Sequence, residues 1–262
     1  MKMMADTLGW IGMGGASAPI DAARLGPKAA HLATAARAGL PVPPAFVIPP
    51  EALSDPAARA RAIEIGLARL EAETGRRLGC PERPLLLAVR PSSVEGTGGG
   101  GGLAPAILDI GVIPETLPAL AARHGARVAR DLERRIVQSF GAGALGFDAE
   151  EFEFALHDAM KLAGVDSETE LTADQLARLA ETCREMLAEE GLEMPATAHD
   201  QLDGAVAAME AAWRAPRAVA RRAARGGAED APLAIIVQAM VLGLAQGEGD
   251  GLSGAGIAHT RS

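Results

Sequence analysis

Apolar positions along this chain follow two rhythms. From Pro114 to about Arg225 they fall at helical spacing, as in Leu120, Val128, Leu132, Ile136 and Val137, or Leu176, Leu179, Ala180, Cys183 and Leu187. The spacing predicts helices over 117–140, 150–162, 172–190 and 199–213. Thr172 and Gln175 form a capping box at the third of these, and Pro216 interrupts the last before an arginine-rich segment. Elsewhere the texture is strand-like. The run 85–89 is continuously apolar, as in a strand buried on both faces, 234–240 is β-rich, and 106–110 and 45–48 read as further strand. A helix is predicted over 55–78, with Pro56 near its start and Ile63, Leu67 and Leu70 on one side. Residues 243–253 read as a glycine-rich turn and 255–260 as a strand pairing back. The pattern is α+β: an α/β lobe begins in 1–112, is interrupted by a helical insert over 113–228, and is completed by strands in 229–262.

The stretch from Leu25 to Ile48, LGPKAAHLATAARAGLPVPPAFVI, carries the most local information. Gly26 and Pro27 punctuate a turn, Lys28 falls in the first turn of a helix, Gly39 ends that helix, and Pro41, Pro43 and Pro44 force an extended path into the strand. A lysine there sets an ammonium beside unpaired backbone N–H groups, which suits a phosphate chain. A lone lysine at a helix start is more often simply solvated. Arg90 follows the run LLLAV and is expected at the exit of a buried strand, where a guanidinium grips phosphate oxygens in pairs or caps carbonyls at a sheet edge. The loop Gly96-Thr97-Gly98-Gly99-Gly100-Gly101-Gly102 has no bulky side chains to keep a phosphate from its N–H groups. On composition alone a pliant linker is as good a reading.

Composition narrows the classes. With 262 residues and 48% hydrophobic content, the chain is long and apolar enough for a real core. Aromatics are 3% and tyrosine is absent, so that core is built of Ala, Leu, Val, Ile and Met. Scarce aromatics and a net charge of −9 both argue against a nucleic-acid partner. The two cysteines give neither a disulfide framework nor metal spacing, and Cys183 reads as a buried small hydrophobe. The N-terminus lacks a continuous apolar stretch of the signal-peptide kind, and no segment is apolar enough to span a membrane, so a cytoplasmic protein is expected. The arginine stripes 123, 127, 130, 134 and 217, 221, 225 read as solvated faces pairing with nearby glutamates, or as a docking surface. Glu248 and Asp250 read as a solvated turn.

Several of these blocks resemble the nucleotide-binding domain of the pyruvate, phosphate dikinase family. The Lys28 block is similar to the family's Gly-Gly-Lys-Gly-Ala-Asn-Leu and Leu-Pro-Val-Pro-Pro-Gly-Phe runs, with Pro27 and Ala29 replacing the flanking glycines. LLLAVR resembles a Ser-Val-Arg-Ser-Gly stretch, WRAPRAVARR a Trp-x-x-Pro-Arg-Ala stretch, and IIVQAMVLG and SGAGIAHTR the family's final strands. DSETELTADQLARL resembles a helix start in the family's insert, and the likeness runs nearly the full chain in order.

The resemblance implies an ATP-grasp-like lobe split by helices. It implies ATP as ligand, with Lys28 and Arg90 on the phosphates, Arg90 stabilising the group in transfer, the Gly98, Gly99 and Gly100 stretch covering it, Gln238 touching adenine or ribose and Thr260 near the nucleotide. A buried Gln238 satisfied by neighbouring backbone is the competing reading. Where the family loop carries Pro-Gly-Met-Met-Asp-Thr this chain has GGLAPAI, and His259 replaces a phenylalanine. The resemblance further implies that the acidic Mg2+ ligands, the second ATP-grasp half, the phosphohistidine domain and the pyruvate barrel lie outside these residues. The chain alone is then not expected to run the family reaction, ATP plus phosphate plus pyruvate to AMP, pyrophosphate and phosphoenolpyruvate. Its expected partners are ATP and either the remainder of the enzyme or a full-length relative. A stand-alone nucleotide-sensing or regulatory module without catalysis is the alternative.

Overall fold

A computed structural model of the chain describes residues 7–14, 19–93 and 105–243. In chain order the elements are β1 (Gly9–Ile11), α1 (Ala22–Arg37), β2 (Ala45–Ile48), α2 (Pro50–Leu53), α3 (Pro56–Thr74), β3 (Arg77–Leu78), β4 (Pro84–Leu85), β5 (Leu87–Ser93) and β6 (Ile107–Ile110). There follow α4 (Leu117–His124), α5 (Ala126–Phe140), α6 (Ala149–Ala163), α7 (Ala173–Glu189), α8 (Ala198–Arg214), α9 (Pro216–Ala223) and β7 (Leu233–Ala239). The fold is α+β.

Five strands form one sheet in the order β1-β2-β7-β5-β6, every neighbouring pair antiparallel. The last described strand, β7, is therefore inserted between β2 and β5, while the first, β1, lies at an edge of the sheet. Period-two alternation divides the residues between two cores. Ala45, Val47, Ala234 and Ile236 pack with Leu25, Ala29 and Ala33 of α1 on one face. Phe46, Ile48, Leu87, Val89, Ile235 and Val237 join Leu67, Leu120, Ile136 and Met209 on the other. The continuous apolar runs are thus explained by burial on both faces, here in an antiparallel sheet.

Local signals set the helix ends. Asp55 caps α3 by accepting from the N–H of Ala57, and Gly75 closes it in the left-handed conformation, so the helix ends short of the expected residue 78. The predicted helix over 117–140 is two helices, split at Gly125, whose φ of 87° a helix cannot contain. Thr172 and Gln175 make the expected capping box on α7. Gly66 lets α3 lie on β2, because a Cβ there would stand 2.4 Å from the Phe46 ring. Gln201 of α8 ties the helices to the sheet: its Oε1 accepts from Gly111 N–H at 2.9 Å and its Nε2 donates to Val112 O at 3.2 Å.

Arg217, Arg221 and Arg225 are exposed as expected, and Arg130 pairs with Glu133, but the stripe on α5 is in part buried. Arg134 is buried and donates to Asp131 at 2.7 Å and to Glu168 at 3.0 Å. Arg127 donates to the carbonyls of Leu171 and Glu168, so this face of α5 fastens the loop that leads into α7.

Candidate functional site

The first turn of α1 is broken from the rest. Gly26 has φ 81° and ψ 155°, and Pro27 then opens the main helix, which puts Lys28 in its first turn as the sequence suggested. Ser92 of β5 holds this break in place. Its hydroxyl donates to Leu25 O at 2.7 Å and accepts from Ala29 N–H at 3.3 Å. The approach requires glycine, since a Cβ on Gly26 would meet Ser92 Oγ at 2.4 Å and Ser93 O at 2.7 Å. One buried hydroxyl thus registers the start of α1 against the sheet.

Arg90 is not at the strand exit. β5 continues to Ser93, and Arg90 sits at its middle, opposite Ile236 of β7. The strand runs past Pro91 because β6 pairs only as far as Val89, leaving that side of β5 without a neighbour where the proline lacks its N–H. Opposed residues share a face, so Arg90 lies with Ile236 on the α1 side of the sheet. Lys28 approaches it there. Burial pulls the Lys28 pKa below its ordinary 10.5, and the positive charge of Arg90 pulls it down further. Arg90 Nε is shielded from solvent and has no hydrogen-bond partner among the described residues. Neither cation makes an ion pair among the described residues. Two like charges held together without a carboxylate are unfavourable until an anion joins them.

Gln238 lies on the same face, two residues along β7 from the Arg90 partner Ile236, or about 7 Å along the strand. It is buried, and its Nε2 donates to Pro43 O at 3.0 Å, the backbone satisfaction that competes with a ligand role. So the structure brings Lys28, Arg90 and Gln238 to one face. Gly98, Gly99, Gly100 and Thr260 lie outside the described residues, as do His259, Glu248, Asp250 and the strand expected over 255–260.

Sequence reasoning missed two groups. One is Ser92, legible only as a same-face neighbour of Arg90 at i+2. The other is Asp109, at an irregular point where two residues of β6 oppose one of β5. Its backbone is left-handed, with φ 62°, and its side chain is wholly buried. Arg135 Nε stands 3.5 Å from Oδ2, and neither carboxylate oxygen has a hydrogen-bond partner among the described residues. Burial raises its pKa to about 6 despite the opposing pull of Arg135. Among the described residues no group of three or more His, Cys, Asp or Glu side chains is placed to hold a metal, and no helix is long and apolar enough to cross a membrane.

No family model matches the chain. Among curated proteins it is similar to a pyruvate, phosphate dikinase of Rhizobium meliloti, 34% identical over 255 residues, covering 92% of this chain and 27% of that protein. It is similar to a pyruvate, phosphate dikinase of Giardia intestinalis, 34% identical over 246 residues, covering 90% of this chain and 27% of that protein. It is also similar to the chloroplastic pyruvate, phosphate dikinase 1 of Zea mays, 33% identical over 247 residues, covering 91% of this chain and 25% of that protein. The chain thus spans about a quarter of the length of the curated relatives it matches.

Proposed function

The chain is related to the pyruvate, phosphate dikinases over 92% of its own length, and on that premise we propose that it forms part of the ATP-binding unit of a dikinase-like phosphotransferase. The observation that carries this reading is the meeting of Lys28 and Arg90 on one sheet face with no ion-pairing carboxylate among the described residues. Their chemistry is complementary. The planar guanidinium of Arg90 grips two oxygens of one phosphate, and the ammonium of Lys28 supplies a point charge at the helix start. Gln238 retains its Oε1 to accept from the nucleoside while its Nε2 stays on Pro43 O. The resemblance assigns the Gly98, Gly99 and Gly100 stretch and Thr260, which lie outside the described residues, to the same nucleotide.

In this reading ATP is substrate, and Mg2+ screens its phosphate charge when bound. The described residues offer cations for phosphate, and the resemblance puts the Mg2+ ligands elsewhere in the enzyme. Arg90 and Lys28 hold and orient the phosphates and offset charge that develops on them during transfer. Turnover to AMP, pyrophosphate and phosphoenolpyruvate then belongs to the assembled enzyme, and this chain alone binds without catalysing.

Calorimetric titration with Mg·ATP tests the proposal. The parent chain should bind saturably. Lys28→Ala and Arg90→Ala should each weaken binding roughly tenfold or more, the scale of one lost hydrogen bond to a charged group. Undiminished affinity in both variants would remove the site from this face.

A further inference from the structure

A second concentration of positive charge lies at the opposite end of β5. A cavity of about 190 Å3 opens there, walled by Leu86, Leu120, Met240 and Val241. Among the described residues its ionisable lining is basic: Arg76 from the turn after α3, and Arg123 and His124 from the end of α4. Arg83, in the loop before β4, lies close enough to act on Arg76 together with Arg123. Among the described residues no carboxylate lines the cavity. Neighbouring acids have other partners, Glu71 of α3 with Arg77 and the N–H of Leu78, and Glu82 with the Cys80 thiol. His124 Nδ1 is shielded from solvent and has no hydrogen-bond partner among the described residues. In a chain of net charge −9, an uncompensated basic cavity of this kind runs against the overall charge balance.

We propose that this cavity is an anion site separate from the Lys28–Arg90 pair, and that it takes the oxyanion of a small organic phosphate whose body rests on the apolar wall. The separation follows from the sheet. Arg90 is three residues along β5 from Leu87, about 10 Å, and on the α1 face, whereas Leu86 and Leu120 belong to the core of the opposite face. The volume limits the occupant, since pockets for larger ligands run from about 300 to 1,000 Å3. Arg76 and Arg123 provide the fixed charge. Burial, then Arg123 and Arg76, hold the His124 pKa below its ordinary value, so the empty cavity favours neutral imidazole. An oxyanion reverses the field, and His124 takes up a proton as it binds.

The test uses the whole chain, with phenyl phosphate as probe and inorganic phosphate as comparison. Both arginines are exposed, so an Arg76→Gln/Arg123→Gln double variant should fold. Phenyl phosphate should bind saturably, more tightly than inorganic phosphate, and should raise the pKa of the His124 imidazole followed by NMR, with His124→Gln assigning that signal. Read at the His124 signal, the arginine double variant should weaken binding roughly tenfold or more, while the His124 shift should persist in Lys28→Ala/Arg90→Ala. Failure to saturate would overturn the proposal, as would binding that survives the Arg76/Arg123 change and is lost with Lys28 and Arg90. Equal affinity for inorganic phosphate would remove the organic body from it. None of these outcomes depends on whether the chain binds ATP.

Discussion

Asp109 shows how one residue can set a pH dependence for the whole fold. Its carboxyl is buried, its only charged neighbour within ion-pair distance among the described residues is Arg135, and its pKa rises from 3.8 to about 6. Below 3.8 the group is protonated in both folded and unfolded chains. Between 3.8 and about 6 the unfolded chain ionises first, so stability falls as pH rises, and above about 6 the penalty is complete at up to about 3 kcal/mol. Asparagine tolerates the left-handed backbone and carries no charge. Asp109→Asn should therefore be more stable than the parent near pH 7 and lose that advantage near pH 4, read from urea unfolding midpoints. A gap between the two that does not change with pH would contradict this account. Nothing in the sequence around Asp109 marked it. An aspartate within an apolar run reads as the outward residue of an alternating strand, and only the irregular pairing of β6 turns it inward. Lys28 was legible because Gly26 and Pro27 announce a helix start, and chemistry at a helix start is local.

At the scale of elements, the junction between α1 and β5 positions the candidate site. Gly26→Ala would force a Cβ onto Ser92 Oγ and two backbone oxygens, at a φ of 81° that alanine resists. The expected cost is about 1–3 kcal/mol or more in unfolding free energy, with weaker Mg·ATP binding because the first turn carrying Lys28 must move. Unfolding and binding both matching the parent would show that this junction does not position the lysine. Helix bodies and caps were readable in advance, as Thr172 and Gln175 illustrate. The split at Gly125 was not, because apolar spacing continues across it from Leu120 to Val128 and the break is one of backbone angle. The place of Arg90 within β5 was missed for a similar reason. Pro91 reads as the end of a strand unless one knows that β6 has already left that edge.

Across the whole molecule, the fold depends on β7 reaching back to lie between β2 and β5. Ile235, Ile236 and Val237 are each fully buried, worth about 1.5–3 kcal/mol apiece, against a net stability of about 5–15 kcal/mol for an ordinary domain. A chain ending at Pro232 should therefore lose its cooperative thermal transition, followed by circular dichroism, and an unaltered transition would contradict the central role of β7. The same strand brings Gln238 to the face of Arg90, so completing the sheet also assembles the candidate site. The central claim is that Lys28 and Arg90 share an anion on that face. The chain has only three lysines, Lys2, Lys28 and Lys161, so selective carbon-13 labelling gives a spectrum in which Lys28 can be followed alone. In the free chain Lys28 should titrate below 10.5, because burial and Arg90 disfavour its charge. Saturating Mg·ATP should move that titration upward as phosphate replaces bare repulsion with attraction. A Lys28 signal that titrates identically with and without Mg·ATP would contradict the claim.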